Sequence, residues 1–347
     1  MNRPFRIRSL DIKNRLLVPP MVCYHWAEQD GHVSEKHLQH YENFAAGGFG
    51  LIIVEATAIT PRSRLADPEL GLWDDAQIDG FREIAERVHK YGAKVFVQLV
   101  HAGLNGIDKD AETVSDIPWR RGINGHEMSV KRIRETTQDF VSAALRAQQA
   151  GLDGVELHGC HGYLLSQFMN KRLNHRTDAY GEDVTLFAKE ALTAVRAAVR
   201  DDFIVGIRLG AFEPLLEDGI RHALALAPYT DFLNVSYGGE CDPAKPEGFS
   251  CSEAVYGASR IKALLPDMPV FGVHQIDSAE AVQNALATGI DMAAIGHAAL
   301  VDPAFAGHVL NGQPTGKCLN CKNGCIWRSD GKKIKFCPGA ELLKKKA

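Results

Sequence analysis

The sequence predicts an α/β fold, a (β/α)8 TIM barrel with a short C-terminal Cys-rich extension. Eight short runs rich in Val, Ile, Leu and Phe recur along its 347 residues, and amphipathic stretches of helical period separate them. Most of the runs are continuously apolar, as strands covered on both faces are. Eight such units favour closure into a barrel. The alternative, an open doubly wound sheet, expects a Gly-x-Gly-x-x-Gly turn after the first strand, and the sequence has none there.

In chain order, the first strand is expected at residues 15–21 and the second at 50–57, within GLIIVEAT. A helix follows in DDAQIDGFREIAERVHKYG from Asp74, opened by acidic residues and closed by Lys90 before Gly92. The third strand is expected at 94–101. Residues 105–127, rich in Gly, Asp and Pro, form a connection of the length usual for functional covers or disordered segments. Ser129 is the expected N-cap of the next helix and Gly151 its stop. Strands at 154–159, 203–209, 232–236, 269–273 and 292–296 complete the set. The barrel is expected to span 1–312 and the cysteine-rich tail 313–347.

The chain is 45% hydrophobic and 24% charged, with a formal net charge of −4. That balance gives no electrostatic reason to expect nucleic acid or an anionic membrane as partner. The apolar runs are too short to span a bilayer, and the N-terminus does not read as a signal peptide. The expectation is a cytoplasmic protein with reduced thiols, long enough to bury a core without disulfides. Four of its eight cysteines fall between Cys318 and Cys337, which reads as a metal or redox ligand set.

Barrel enzymes place their chemistry at the C-terminal ends of the strands. Those ends gather Tyr24, Gln98, His101, His158, His161, Tyr163, Arg208, His274 and His297. There is no nucleophilic Ser elbow, and no strand-end carboxylate pair suggests hydrolysis. His158 and His161 can donate hydrogen bonds to one oxygen, with Tyr163 as a general acid. The bland alternative is a core histidine and a packed tyrosine; a zinc site lacks a third ligand at local spacing. Arg208 lies inside an apolar strand and needs an acceptor, either in a structural ion pair or in a ligand. Gly272 and Gly296 end strands just before helices, where barrels often cradle phosphate. Gln98 suits the donor–acceptor edge of a heterocycle.

Read together, NRLLVPPM, GLIIVEAT, GLWDDAQIDGF, QLVHAG, GVELHGCHGYLLSQFMNKRLNHRTDAYGE and IGHAALVDP resemble, in order, the Old Yellow Enzyme family of FMN-dependent ene-reductases. The resemblance implies that Pro20, Met21, Val22 and Ala56 line the isoalloxazine. It implies that Gln98 bonds the pyrimidine edge and that Arg208 sits by N1 and C2=O, where a cation stabilises the reduced anion. The loops of Gly272 and His274, and of Gly296 and His297, would take the phosphate. Tyr24, His158 and His161 would meet the substrate. Hydride would pass from flavin N5 to the β-carbon, with Tyr163 giving the α-carbon its proton. The sequence departs from the family at Val22, where Thr or Cys is frequent, at His297 in place of an Arg, and at Leu104. Cys23 is expected to point to the other side of its strand.

Cys318, Cys321, Cys325 and Cys337 read C-x2-C-x3-C-x11-C, the ligand complement of one [4Fe–4S] cluster. The spacing resembles the 2,4-dienoyl-CoA reductase branch of that family, whose cluster relays electrons from appended nucleotide-binding domains. Those domains are not among these 347 residues, so electrons are expected from a separate donor protein or directly from NAD(P)H. Zinc and an empty vestige are the alternatives. Lys332, Lys333 and Lys335 are a docking patch or a solvated charge run. Cys160, Cys241 and Cys251 read as ordinary thiols. Two other functions compete: an amine dehydrogenase or demethylase of the same branch, and a non-catalytic flavin sensor or scaffold. The partners expected are a small-molecule alkene and, among assemblies, a homo-oligomer.

Overall fold

Eight parallel strands close on one another in sequence order in the computed structural model, which describes residues 1–28, 30–321, 325 and 337–344. They are β1 (Leu16–Val18), β2 (Leu51–Ala58), β3 (Lys94–Val100), β4 (Gly154–Gly159), β5 (Ile204–Gly210), β6 (Leu233–Ser236), β7 (Val270–Gly272) and β8 (Met292–Ala294). Ala293 pairs with Leu16 to close the ring. All eight expected strands are present. β1 is shorter than expected because Pro19 and Pro20 have no N–H to give the ladder.

The helix expected from Asp74 runs Ile78–His89, after a 3-10 turn that Asp74 caps. The next runs Val130–Gln149, with Ser129 Oγ accepting from the Arg132 N–H at 3.2 Å. Gly92 and Gly151 stop them at φ +67° and +83°, a conformation that costs glycine nothing.

Side chains alternate along each strand, so every second residue faces the barrel axis. At the lower end the axis is filled by Ile53, Phe96, Ile204, Phe232, Phe271 and Met292. Ile7 and Ile12 of an N-terminal hairpin, Phe5–Ile7 with Leu10–Ile12, pack into the same cluster. Phe232 stacks on Phe96 at 5.5 Å and on Phe271 at 4.9 Å. Gly206 makes room for that ring, since a Cβ there would lie 2.1 Å from it. Truncating Phe232 to Ala costs about 3–5 kcal/mol for a cavity of this kind.

Further along the strands come Gln98, Glu156, Arg208 and Asn234, a buried polar layer between the aromatic floor and the mouth. In β2 the register shifts between Val54 and Ala56, leaving Glu55 as an extra residue. Its carboxylate accepts from the Cys23 N–H at 2.7 Å and from Tyr41 Oη at 3.1 Å.

The connection at 105–127 folds as a three-stranded sheet, Asp110–Thr113, Ile117–Pro118 and Asn124–Glu127. It is pinned to the mouth. Asn105 Nδ2 donates to Gly162 O at 2.7 Å and its Oδ1 accepts from Trp119 Nε1 at 3.1 Å, while Arg120 pairs with Glu240. The tail is anchored by Asp302, which accepts from the Gly316 N–H at 3.0 Å. A short helix, Pro338–Lys344, follows. Lys332, Lys333 and Lys335 lie outside the described residues. Among the described residues, no helix is long and apolar enough to cross a membrane.

Candidate active site

The polar layer is organised round Glu156, which accepts from Gln98 Nε2 and from Asn234 Nδ2, each at 2.7 Å. Burial raises its carboxyl to about 7, although Arg208 and the two amides pull it down. Gln98 pairs across the sheet with Ala56, so both expected flavin contacts share one level.

Arg208 is buried, yet it reaches only Pro20 O and Ser236 Oγ, both at 3.4 Å. Its Nε has no acceptor, and Arg208 makes no ion pair among the described residues. The structural ion pair considered from sequence is therefore not formed. A buried guanidinium with an unmet N–H calls for an external acceptor, which fits the electron-rich edge of a flavin.

Above it, the His158 ring lies 5.1 Å from His161 and 4.7 Å from Tyr163, both edge-on. Burial, and then the Arg208 charge, hold both imidazoles well below their ordinary value. They are neutral N–H donors. Burial, Tyr24 and Glu69 push the Tyr163 hydroxyl above its ordinary range, so it stays protonated. His161 adopts φ +63°, a rare conformation for a residue with a Cβ. Its ring reaches Ser236, Nε2 to Oγ, at 2.9 Å.

Cys160 lies closer to the histidines than its spacing indicated. It reads as an ordinary thiol in the sequence, yet its Sγ lies 3.9 Å from His158 Nδ1. The ligand atoms of His158, Cys160 and His161 lie within 4.8 Å of one another, supplying the third ligand that the spacing lacked. Burial raises the thiol well above its ordinary value, so it is a weak ligand as it stands.

On the loop after β7, His274 and Gln275 hold positive φ, +78° and +57°, without being glycine. His274 Nε2 lies 3.1 Å from Ser236 Oγ, and burial, Arg208 and His297 bring the imidazole down to about 4. Gly296 faces Met21, and a Cβ there would sit in ordinary contact with Sδ, at 3.7 Å. Gly272 packs on Ile290, where a Cβ would come within 2.7 Å.

A cavity of about 450 Å³ separates the mouth from the tail. Pro20, Met21, Val22, Tyr24 and His297 line one side, and Cys318, Cys321, Cys325 and Cys337 the other. All four are free thiols. Cys23 is buried beside Glu55, away from that cavity, while Val22 faces it.

Sequence reasoning missed Ser236, Glu156, Asn234 and a second buried acid, Glu213. Ser166 and Asn170 donate to Glu213, and burial raises it to about 8. A charge inside the otherwise apolar GVELHG was a signal for Glu156. Nothing local marked Ser236.

The model of the NADH:flavin oxidoreductase / NADH oxidase family matches residues 1–315. The chain is 36% identical over 343 residues to an NADH oxidase of Thermoanaerobacter brockii, across 92% of this chain and 52% of that protein. It is 39% identical over 198 residues to an NADPH dehydrogenase of Bacillus subtilis, across 56% of this chain and 59% of that one. The chain thus spans little more than half the length of these curated relatives. A 2-naphthoyl-CoA reductase structure superposes with a TM-score of 0.82 at 22% identity, over 90% of this chain and 52% of the other. Morphinone reductase in complex with tetrahydroNAD gives 0.77 at 23%, over 91% and 92%. At those identities the likeness is one of fold.

Proposed function

The chain belongs to the NADH:flavin oxidoreductase / NADH oxidase family, and on that premise we propose that it reduces an activated C=C bond, of enone or enoyl type, using FMN. The observation that carries this reading is the buried Arg208, its Nε unmet, beneath the neutral imidazoles of His158 and His161. Pro20, Met21, Val22, Ala56, Gln98 and Arg208 would hold the flavin ring. Gly272, His274, Gly296 and His297 would hold its phosphate. FMN bound there supplies hydride chemistry, and the names of the relatives support NADH or NADPH as its source.

The chain's own residues do the rest. His158 and His161 donate to the substrate oxygen as negative charge develops on it. Tyr163, kept protonated, gives its proton to the α-carbon. Tyr24 lies in the field of Tyr163, and the strap at 105–127 is tied to the same mouth through Asn105 and Gly162. Neutral donors beside a guanidinium disfavour a cationic amine, which counts against the dehydrogenase or demethylase reading.

The tail, residues 313–347, is proposed to hold a [4Fe–4S] cluster through Cys318, Cys321, Cys325 and Cys337, which would supply one-electron transfer. Four thiols around a cavity whose far wall is Pro20, Met21 and Val22 support that choice. A single zinc would draw them to within about 4 Å of one another. A separate donor protein is the partner this implies, and the cytoplasm the compartment. Anaerobic purification, with the visible spectrum and assays of iron, sulfide and zinc, tests both centres. Flavin bands and turnover of an enone with NAD(P)H support the reading. Bound FMN with no alkene turnover would favour the sensor.

A further inference from the structure

We propose that Ser236 is a positioning residue that fixes the tautomer of His161, so that Nδ1–H is the donor offered to the substrate oxygen. The inference rests on the reading of His161 as an oxygen-binding residue, but its central observable does not.

Ser236 ends β6 and is fully buried. Its hydroxyl has three neighbours: His161 Nε2 at 2.9 Å, His274 Nε2 at 3.1 Å and Arg208 Nη2 at 3.4 Å. A hydroxyl carries one proton and two lone pairs. A guanidinium only donates, so Arg208 takes one lone pair. One imidazole can donate to the other lone pair. The second imidazole must then accept the hydroxyl proton, with its own proton on Nδ1.

The surroundings decide which ring accepts. His161 is hemmed in by Arg208, His158 and His274, all of which oppose further protonation. His274 is partly open at the rim and has Glu253 in its field, and it stands on the loop proposed for the phosphate. With its Nε2 on Ser236, a neutral His161 can donate to an oxygen only from Nδ1, whereas His274, open to water that can accept or donate at its Nδ1, can keep its proton on Nε2. His274 therefore donates to the Ser236 oxygen, the Ser236 O–H donates to His161 Nε2, and the His161 proton sits on Nδ1. The backbone agrees. His161 and His274 both sit at positive φ, +63° and +78°, and both rings end on this one hydroxyl. Strain held at two positions for a shared contact marks the contact as functional.

The test uses holoprotein carrying [15N]histidine, with long-range proton–nitrogen spectra. His161 is assigned by the signal lost in His161→Gln. The expected wild-type pattern is Nδ1–H, and Ser236→Ala should convert it to Nε2–H or a mixture. In the same variant phenol, followed by its perturbation of the flavin spectrum, should bind about tenfold more weakly with FMN content unchanged. Ser236→Thr, which keeps the hydroxyl, should restore both. An Nε2–H signal for His161 in the wild type overturns the proposal whatever becomes of Ser236→Ala. So does a Ser236→Ala protein whose His161 signal is unmoved. If the tautomer behaves as expected but wild-type protein binds no phenol and reduces no alkene, the oxygen-binding reading fails and the positioning role stands.

Discussion

Gln98 and Glu156 share a 2.7 Å hydrogen bond inside the barrel, on a carboxyl that burial lifts from 4.5 to about 7. The folded protein therefore holds a proton that the unfolded chain releases between those values. Stability from this group is complete below pH 4.5 and is lost as pH rises towards 7. The loss amounts to about 3 kcal/mol. Glu156→Gln should flatten that fall, measured as urea midpoints across the interval. The unmet Oδ1 of Asn234 can turn to accept the new amide. A slope identical to wild type would mean that Glu156 is not the titrating group.

Arg208→Met removes a cation beside the proposed flavin edge. The midpoint potential should fall by roughly 20–60 mV, read against a reference dye, because the reduced anion loses its counter-charge. An unchanged potential would place the ring elsewhere.

Replacing His158 and His161 together by Ala should raise the Kd for phenol about 100-fold while FMN stays bound. Loss of FMN with affinity for phenol intact would assign the pair to the cofactor instead.

Tyr163→Phe should leave flavin reduction by NAD(P)H unchanged in stopped flow and slow alkene reduction by about 10²–10⁴-fold. Burial holds the wild-type hydroxyl protonated. The alkene step should accordingly stay flat with pH into the mildly alkaline range, where an ordinary phenol begins to ionise. Equal slowing of both half-reactions would point to a packing role.

Cys337→Ala should strip iron and sulfide from the anaerobically purified protein while FMN remains. A loss of zinc alone would make the tail a structural clip.

What was legible in the sequence follows from what is local. Strands buried on both faces are mostly apolar, so all eight announced themselves, and Gly92 and Gly151 marked helix ends because glycine takes up the required φ without cost. Arg208 stood out as a charge in an apolar run. Its missing counter-ion did not, because partners are set by the closed barrel. Ser236 was invisible for the same reason: its histidines come from 75 and 38 residues away. The strap at 105–127 hid its small sheet because its strands are two to four residues long and mostly polar.

The stack of Phe96, Phe232 and Phe271, sealed from below by Ile7 and Ile12, gives the barrel a single open end. Molecules cannot arrive from one side and leave by the other. Under the proposed reaction, NAD(P)H and the alkene must occupy the same ground in turn, and an excess of either one keeps the other waiting. Turnover becomes an alternation with each reactant as the other's inhibitor, and initial-rate plots should run parallel. Electrons delivered by way of the tail cysteines would not stand in that queue.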